Sequence, residues 1–449
     1  MKAKKAAAAV FLVLSLLLSG CSFVGLDAQT LMHAPKPTGE NEADIQALLE
    51  STAGSDITLK YPRTGEYRSA IITHDLCGDS GNEAIAVYQK GDDSAGTNIM
   101  FMKKENDKWA GMGSFNNPAA QVDRICFGDL NGDGKDEVIV GWGNSLNNTG
   151  TICVYSCEDG KMNELPLNQS YTEMAVMDFD GDGRDEIFTA SVTVGDEPAV
   201  AHLLRIKDGA MELMGFASLD IGVTSYASLQ TGLINEKQEG VVLDGIKSAD
   251  TLVTEVLYWD AESKTLKNPF FDDATKTAKN TTRSTSVVSK DINGDKIIEI
   301  PFVNLMPGYD GTEAEGAAYM TNWLRYDTET NTFVQVMSMV IDYSDGFWFL
   351  VPDTWQGKVT TKMDTATRTV TFYRWITADK NPGGTLGAPL LKIQAFTEKE
   401  WAKQTGAKGF TKLESSGGTV FADMRLTPDD PLSLTQTEIE SSFQIITQD

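Results

Sequence analysis

The sequence predicts a mainly-β protein: a β-propeller of about five four-stranded blades at residues 59–341, followed by a smaller α+β domain at residues 342–449. Two observations support the propeller. A nine-residue motif rich in Asp and Gly recurs about every fifty residues, with copies that start at residues 75, 129, 178, 231 and 291. Short runs of β-branched and aromatic residues precede and follow the copies, which indicates strands. Units of this length with four antiparallel strands are typical of propeller blades.

Each repeat unit is predicted to contain four strands. The third unit shows them as the segments EMAVMD, EIFTASVTV, AVAHLLRIKDG and AMELMGFA. A single four-stranded unit cannot bury both of its faces, so we expect the units to pack side by side and to close into a ring.

The N-terminal residues have the organisation of an export signal. Three lysines precede an apolar run from Ala6 to Leu18, which is shorter than the roughly 20 residues that a membrane-spanning helix needs. The run ends in LSGC, which resembles the lipobox of bacterial lipoproteins. That resemblance implies cleavage before Cys21 and attachment of diacylglycerol to its thiol. We therefore expect a signal peptide at residues 1–20, a tether with a short helix at residues 21–58, and an extracytoplasmic protein that is anchored to the cell membrane by its lipid alone.

The charge of the chain restricts its partners. The formal net charge is -26, and the loss of three lysines with the signal peptide makes it -29. An excess of this size repels nucleic acid and anionic membrane surfaces, so we expect neither as a direct partner. It attracts cations instead.

The two most regular copies of the motif are DLNGDGKDE at residues 129–137 and DFDGDGRDE at residues 178–186. Their Asp and Asn side chains alternate with other residues, as in a loop that binds a divalent metal. An EF-hand loop would need Glu at its twelfth position, where this chain has Val140 and Thr189. The flanking segments are also strands and not helices. The motif therefore predicts a strand–metal loop–strand turn.

This motif is similar to the FG-GAP or VCBS repeat, which occurs in integrin α-subunit propellers and in many bacterial surface proteins. The resemblance implies one structural calcium ion per loop, held by side chains at positions 1, 3 and 5, the carbonyl of position 7 and the carboxylate of position 9. Oxygen ligands on a flexible loop suit Ca²⁺ better than Mg²⁺. The ligands implied for the two regular copies are Asp129, Asn131, Asp133, the Lys135 carbonyl and Glu137, and Asp178, Asp180, Asp182, the Arg184 carbonyl and Glu186.

The remaining copies depart from the pattern to different degrees. The last copy has Lys296 in place of a glycine, a position where a side chain is costly, and it retains the ligands Asp291, Asn293, Asp295 and Glu299. The first copy has Cys77 at position 3, where a thiol is a poor calcium ligand; it retains the weaker candidates Asp75, Asp79 and Glu83. The copy at residue 231 has lost its acidic positions. Asp-Gly turns that bind no metal are the alternative interpretation of all copies.

The cysteines beyond Cys21 give no clear cross-link. Cys153 and Cys157 are expected on one strand about 13 Å apart, which is too far for a disulfide. The geometry allows a pair between Cys77 and Cys126, but nothing in the sequence supports it. We expect mostly buried, apolar thiols, and the three scattered histidines predict no zinc site.

Both ends of the chain have their own patterns. Residues 41–51 place apolar side chains on one face of a short helix that is expected to pack on the propeller. After about residue 340 the motif stops, and strands alternate with a helix whose capping box is formed by Thr397 and Glu400. A final helix is expected at residues 433–446. This order, with the stretch GFWFLVPDTW, is similar to PsbP-like α+β domains. Four tryptophans are expected in its core, with a sugar-binding platform as the alternative: Trp348, Trp355, Trp375 and Trp401.

The sequence favours a binding or scaffolding role over catalysis. It contains no Gly-x-Ser-x-Gly motif and no histidine-based metal motif. We expect a cell-surface lipoprotein that binds an unidentified protein or glycan. The alternative is a secreted carbohydrate-active enzyme or an accessory subunit of one, since similar repeats accompany some polysaccharide lyases and hydrolases.

Overall fold

The computed structural model describes most of the chain between residues 40 and 446; the residues left out of this range are 82, 92–95, 144–148, 166, 168, 310–316, 379–380 and 405–408. The predicted signal peptide, the lipidation site Cys21 and residues 22–39 of the tether lie outside the described residues. The described chain is mainly β with few helices, as predicted. No helix in this part of the chain has the length and apolar character that a membrane crossing requires.

The chain divides into two compact units. Among the described residues, the first unit comprises residues 40–127 and 134–165, and the second comprises residues 128–133 and 166–446. This division does not follow the predicted domain boundary.

In the first unit, helix α1 (Glu40–Ala53) buries Ile45 and Leu49 against the first sheet. The helix was predicted from the spacing of these residues. The strands of the first two sheets follow it in chain order: β1 Ile57–Leu59, β2 Ile71–His74, β3 Glu83–Lys90, β4 Thr97–Glu105, β5 Lys108–Asn117, β6 Gln121–Gly128, β7 Glu137–Gly143, β8 Gly150–Glu158 and β9 Lys161–Leu165. β2 to β5 form one antiparallel sheet, to which β1 adds beside β3, and β6 to β9 form the next. Alternating apolar residues of both sheets, such as Phe101 and Tyr155, share one core.

The prediction for the cysteines was wrong for one pair. Cys77 and Cys157 form a disulfide with their Cα atoms 5.6 Å apart. Cys153 and Cys157 do lie on one strand, β8, as predicted, and Cys126 and Cys153 remain free thiols.

The second unit contains two further four-stranded repeats. Their sheets are β11 to β14 and β15 to β18, each in sequential antiparallel order. The strands of this region are β10 Ser170–Tyr171, β11 Glu173–Met177, β12 Glu186–Ser191, β13 Val200–Lys207, β14 Ala210–Ser218, β15 Ser225–Leu233, β16 Glu239–Ser248, β17 Thr251–Asp260, β18 Thr265–Lys267, β19 Phe271–Asp272 and β20 Thr277–Ala278. Leu203 and Leu243, from neighbouring sheets, belong to one buried cluster.

The fifth sheet contains four strands in chain order and the last strand of the chain. Its strands are β21 Ile300–Leu305, β22 Tyr319–Asp327, β23 Thr332–Asp342 and β24 Phe347–Leu350. β24 pairs with β23 and also with the last strand of the chain, β30 (Phe443–Ile445). The predicted boundary between residues 341 and 342 falls at the end of β23, before β24, and stays a prediction.

The remaining segments form a further five-stranded sheet and short helices. They are a 3₁₀ helix at Asp353–Trp355, β25 Val359–Asp364, β26 Thr369–Ala378, β27 Asn381–Thr397, α2 Glu398–Gln404, β28 Thr411–Ser416, β29 Thr419–Arg425 and α3 Gln436–Ser442. Val340 and Phe349 of the fifth repeat share a core with Phe372 and Ile393 of this sheet. Trp355 is fully buried there, as predicted.

Local signals at the C-terminal end were partly confirmed. Thr397 and Glu400 form the predicted capping box, with reciprocal bonds of 2.8 and 3.2 Å at the start of α2. The predicted final helix is shorter than expected: α3 ends at Ser442, and Phe443 begins β30 instead. Trp348, Trp375 and Trp401 are only partly buried.

Candidate metal centres

Each of the first four copies of the motif is the turn between the first and second strands of a repeat. In the third repeat, Met177 at the end of β11 lies opposite Glu186 at the start of β12, so residues 178–185 form the connecting loop. The ninth position of the motif is thereby the first residue of the second strand, where the sheet buries it. The fifth copy is similar, because Lys290 and Glu299 bridge across the loop just before β21. The predicted strand–loop–strand arrangement is confirmed.

The third and fifth copies of the motif have the same backbone turn. The fourth and sixth positions of the third repeat are Gly181 and Gly183, with φ of 76° and 88°. In the fifth repeat the sixth position is Lys296, which has φ of 73° although it carries a side chain. This left-handed backbone conformation is costly for a residue with a side chain, as predicted for Lys296. The loop geometry is therefore preserved despite the substitution.

The first Asp of the motif holds the loop in shape. In the third repeat the Asp178 carboxylate accepts hydrogen bonds from the backbone N–H groups of Gly181, at 2.8 Å, and Gly183, at 2.9 Å. In the fifth repeat Asp291 accepts from Gly294 at 2.7 Å and from Lys296 at 2.8 Å. These bonds, which involve both oxygens of each carboxylate, fix its orientation in the loop.

Two of the predicted ligand sets come together in the structure. Ligand oxygens of Asp178, Asp180 and Glu186 all lie within 4.8 Å of one another. The other such set is Asp291, Asp295 and Glu299. Three converging carboxylates repel one another unless a cation lies between them.

The buried Glu of each cluster fits a cation best. Glu186 is 1% exposed, and burial raises the pKa of its carboxyl to about 8, with a smaller contribution from the neighbouring Asp180 charge. Burial raises the pKa of Glu299 to about 7. The Glu299 Oε1 atom is buried and has no hydrogen-bond partner among the described residues. A divalent cation would supply the charge and the ligand contact that this oxygen lacks, so these residues fit a metal.

The second repeat has the same local bonds around its first Asp. Asp129 accepts from the N–H of Gly132 at 2.7 Å, and Asn131 accepts from the N–H of Asp133 at 2.8 Å. The division between the two compact units passes directly after Asp133. The full ligand set of this copy, with Lys135 and Glu137, therefore stays a prediction.

The first copy retains the loop but not the ligand set. Asp75 accepts from the N–H groups of Gly78 and Ser80, and Ser80 has φ of 65° at the sixth position. Its third position, Cys77, is committed to the disulfide. The nearby Lys103 donates to Glu105, which raises the pKa of this lysine, and the charges of Asp79 and Glu83 raise it further. A resident positive charge thus faces the carboxylates of this copy.

The fourth copy holds its loop with hydrogen bonds of an amide side chain. Asn235 Oδ1 accepts from the N–H groups of Lys237 and Gln238, and its Nδ2 donates to Thr328 Oγ1 at 3.0 Å. The structure thus agrees with the loss of acidic ligands that the sequence shows for this copy.

Sequence analysis missed the residue that links successive copies. The eighth position is Asp136 in the second copy and Asp185 in the third. Asp185 Oδ2 accepts from the N–H of Asp129 at 3.1 Å, and its own N–H donates to the Asp129 carbonyl at 2.9 Å. In the first unit, Asp136 lies 2.7 Å from His74 Nε2, directly before the first copy. The sequence did contain an indication of this link, because both regular copies of the motif end in Asp-Glu.

Comparison with known families supports the repeat. Residues 129–189, which contain the two regular copies, match the FG-GAP-like repeat family. This confirms the predicted resemblance for that part of the chain. No curated protein matches the chain by sequence.

Solved structures show only distant similarity. An exotype rhamnogalacturonan lyase, YesX, is 11% identical over 73% of this chain and 75% of its own, with a TM-score of 0.30. A Bacillus licheniformis rhamnogalacturonan lyase is 13% identical over 74% and 75%, also at 0.30. A protein from Lactobacillus plantarum is 8% identical over 69% and 82%, at 0.28. TM-scores of this size carry no conclusion about activity.

Proposed function

We propose that this chain is an extracytoplasmic, membrane-anchored lipoprotein whose repeats form a calcium-stabilised propeller that binds a protein or a glycan. One observation carries the calcium assignment: Glu186 and Glu299 are buried at equivalent positions beside two further carboxylates each. Burying an isolated carboxylate is unfavourable, and the loop geometry recurs where the acids recur. The ion in this proposal is structural, since it joins the two strands of a hairpin.

The propeller proposal rests on the repeats and their links. Five consecutive antiparallel sheets each contain four sequential strands, counting β2 to β5, β6 to β9, β11 to β14, β15 to β18 and β21 to β24. Within the second compact unit, loops of neighbouring repeats bond to each other: Asp129 to Asp185, and Leu233 to Ile298. We propose that these sheets are the blades of a closed ring, and that β25 to β29 with α2 and α3 belong to a PsbP-like α+β region.

The anchoring proposal rests on the N-terminal sequence and on the type of repeat. Cys21 follows a basic segment and a short apolar run, in the order that a lipoprotein signal requires. The FG-GAP-like repeat at residues 129–189 is typical of extracellular proteins. The described carboxylate clusters lie in turn loops that hold hairpins together, which favours a binding role without catalysis.

A capture experiment tests this function. The purified protein, without its lipid, is immobilised and incubated with envelope extracts in calcium or in EGTA. We expect a specific protein or polysaccharide to be retained in calcium and to be released by EGTA. Retention of nothing above an unrelated acidic protein would contradict the binding role, whereas retention that ignores EGTA would contradict the role of calcium.

A further inference from the structure

A short segment between the fourth and fifth repeats is fixed at both ends by one buried carboxylate. We refer to residues 284–288 as the strap. Before it, Arg283 donates from Nη2 to Asp244 Oδ1 at 2.7 Å; after it, the N–H of Ser289 donates to Asp244 Oδ2 at 2.6 Å. Asp244 and the side chain of Arg283 are both essentially inaccessible to solvent. Removing either partner would leave a buried charge, so the strap is held in place.

Two cavities, of about 370 and 290 Å³, lie along the strap. The strap residues Ser286 and Val287 line the first cavity, Ser284 lines the second, and Tyr343 lines both. Together the cavities fall in the range of roughly 300–1,000 Å³ that small-ligand sites occupy. We call them together the strap groove.

The floor of the strap groove is one face of the fifth sheet. Ile341, Trp348 and Gln444 lie directly opposite one another on β23, β24 and β30, and all three line the first cavity. Residues that alternate with them, such as Phe347 and Phe349, point into the core on the other face. The aromatic side chains of the groove are therefore additional to those that the core uses.

These aromatic residues are open to solvent or lack a polar partner. Tyr343 is 61% exposed and Tyr319, in the second cavity, is 50% exposed. Trp348 is partly buried. Trp323 lines the first cavity, and its Nε1–H is buried with no hydrogen-bond acceptor among the described residues. Such a donor favours a ligand that carries an acceptor.

We infer that the strap groove binds a neutral oligosaccharide. This inference rests on the proposed binding function, for which it names a site and a ligand class. Aromatic faces pack against the C–H faces of sugar rings, while hydroxyl groups of the sugar pair with the Trp323 N–H, the Gln444 amide and the strap hydroxyls.

Charge argues for a neutral sugar. Among the residues that the structure describes, the charged ones that line the two cavities are one lysine and one aspartate, Lys290 and Asp342. The chain as a whole has a formal charge of -26. The groove thus offers no excess of positive charge to an acidic glycan, and the surrounding field repels one.

Binding of a defined panel tests the inference. The soluble protein in calcium is titrated with neutral hexasaccharides built from glucose, galactose, mannose or N-acetylglucosamine, and with hexagalacturonate as the acidic comparison. We expect at least one neutral sugar to bind and to change tryptophan fluorescence, with hexagalacturonate weaker. Trp348→Ala should weaken that binding at least about tenfold, as loss of an aromatic anchor does. Tyr343→Ala, which removes a 61% exposed ring, should weaken it as well.

The matched control is Phe216→Ala, which removes a 65% exposed aromatic ring from β14. It should leave binding unchanged, and melting curves should show that all three variants are folded. Binding by none of the neutral sugars, or equal binding by wild type and the Tyr343→Ala variant, would overturn the groove assignment. Either result would still leave the capture experiment free to show a protein ligand or a glycan bound elsewhere, so the two proposals fail separately.

Discussion

Cys77 forms a disulfide with Cys157. Cys77 has the third position of the first copy of the motif, where the second and third copies carry Asn131 and Asp180. In the regular copies this third position is an implied metal ligand. In the first copy it is the start of a covalent link from the loop to β8, in the next sheet of the same unit. The first loop is thus attached to its surroundings by a disulfide, whereas the third and fifth have a cluster of carboxylates.

The first prediction concerns this disulfide. It closes a sequence separation of 80 residues, and a link of this span typically stabilises a protein by about 2–4 kcal/mol. We expect Cys157→Ser to lower the melting temperature in saturating calcium, and dithiothreitol to have the same effect on the wild type. The control is Cys153→Ser, which changes a free thiol on the same strand. Equal melting of both variants would contradict a stabilising link.

The second prediction concerns calcium. Because the ion binds only the folded loop, millimolar calcium should raise the melting temperature, and magnesium should do so much less. The double variant Glu186→Gln, Glu299→Gln replaces both buried carboxylates with amides of nearly the same shape. It should remove most of this increase in melting temperature.

Glu239→Gln is the matched control for that double variant, because Glu239 has the ninth position in the copy whose first, third and fifth positions carry no acid. It should keep the full calcium response. A wild-type protein that melts at the same temperature in EGTA and in calcium would show that the loops are ordinary Asp-Gly turns.

Sequence analysis succeeded where the determinants are local. The turn at residues 178–185 is defined by Asp and Gly within nine residues, and the box of Thr397 and Glu400 by two residues one turn apart. Such patterns fix hydrogen bonds between neighbours in the chain, so they can be recognised without the fold.

It failed where a partner comes from far along the chain. Phe443 follows Ile439 at helical spacing, so the sequence favoured a helix, but pairing with β24 draws Phe443 into β30. The link between Cys77 and Cys157 also depends on two sheets that meet only in the folded unit.

The third prediction concerns the lipid anchor, which the described residues do not include. Cys21→Ser removes the thiol that the lipobox resemblance implies is lipidated. We expect the variant to leave the membrane fraction and to lose labelling by a palmitate analogue, while its calcium response stays normal. A variant that still fractionates with membranes and takes the label would contradict anchoring at this residue.

The last prediction concerns pH and a buried carboxyl outside the metal loops. Glu255 on β17 is 1% exposed and accepts from Asn268 Nδ2 at 2.7 Å and from the N–H of Asp220 at 3.1 Å. Burial raises the pKa of Glu255 to about 7, although both hydrogen bonds oppose the increase. The charge of Asp220 raises the pKa of Glu255 further, and the charge of Lys247 lowers it. Lys247 Nζ lies 2.9 Å from Asp220 Oδ2.

The sign of the effect follows from this raised pKa. The folded protein holds the Glu255 proton more tightly than the unfolded chain, whose pKa for Glu is the ordinary 4.5. This contribution to stability is complete below about pH 4.5 and is lost as the pH rises through about 7, by at most about 3 kcal/mol. Glu255→Gln imitates the protonated carboxyl and cannot ionise. Measured in saturating calcium, the melting temperature of the wild type should therefore fall relative to that of the variant between pH 5 and pH 8, because acids common to both proteins cancel in the difference. A difference that stays constant over this range would mean that Glu255 ionises in the folded protein at its ordinary pKa.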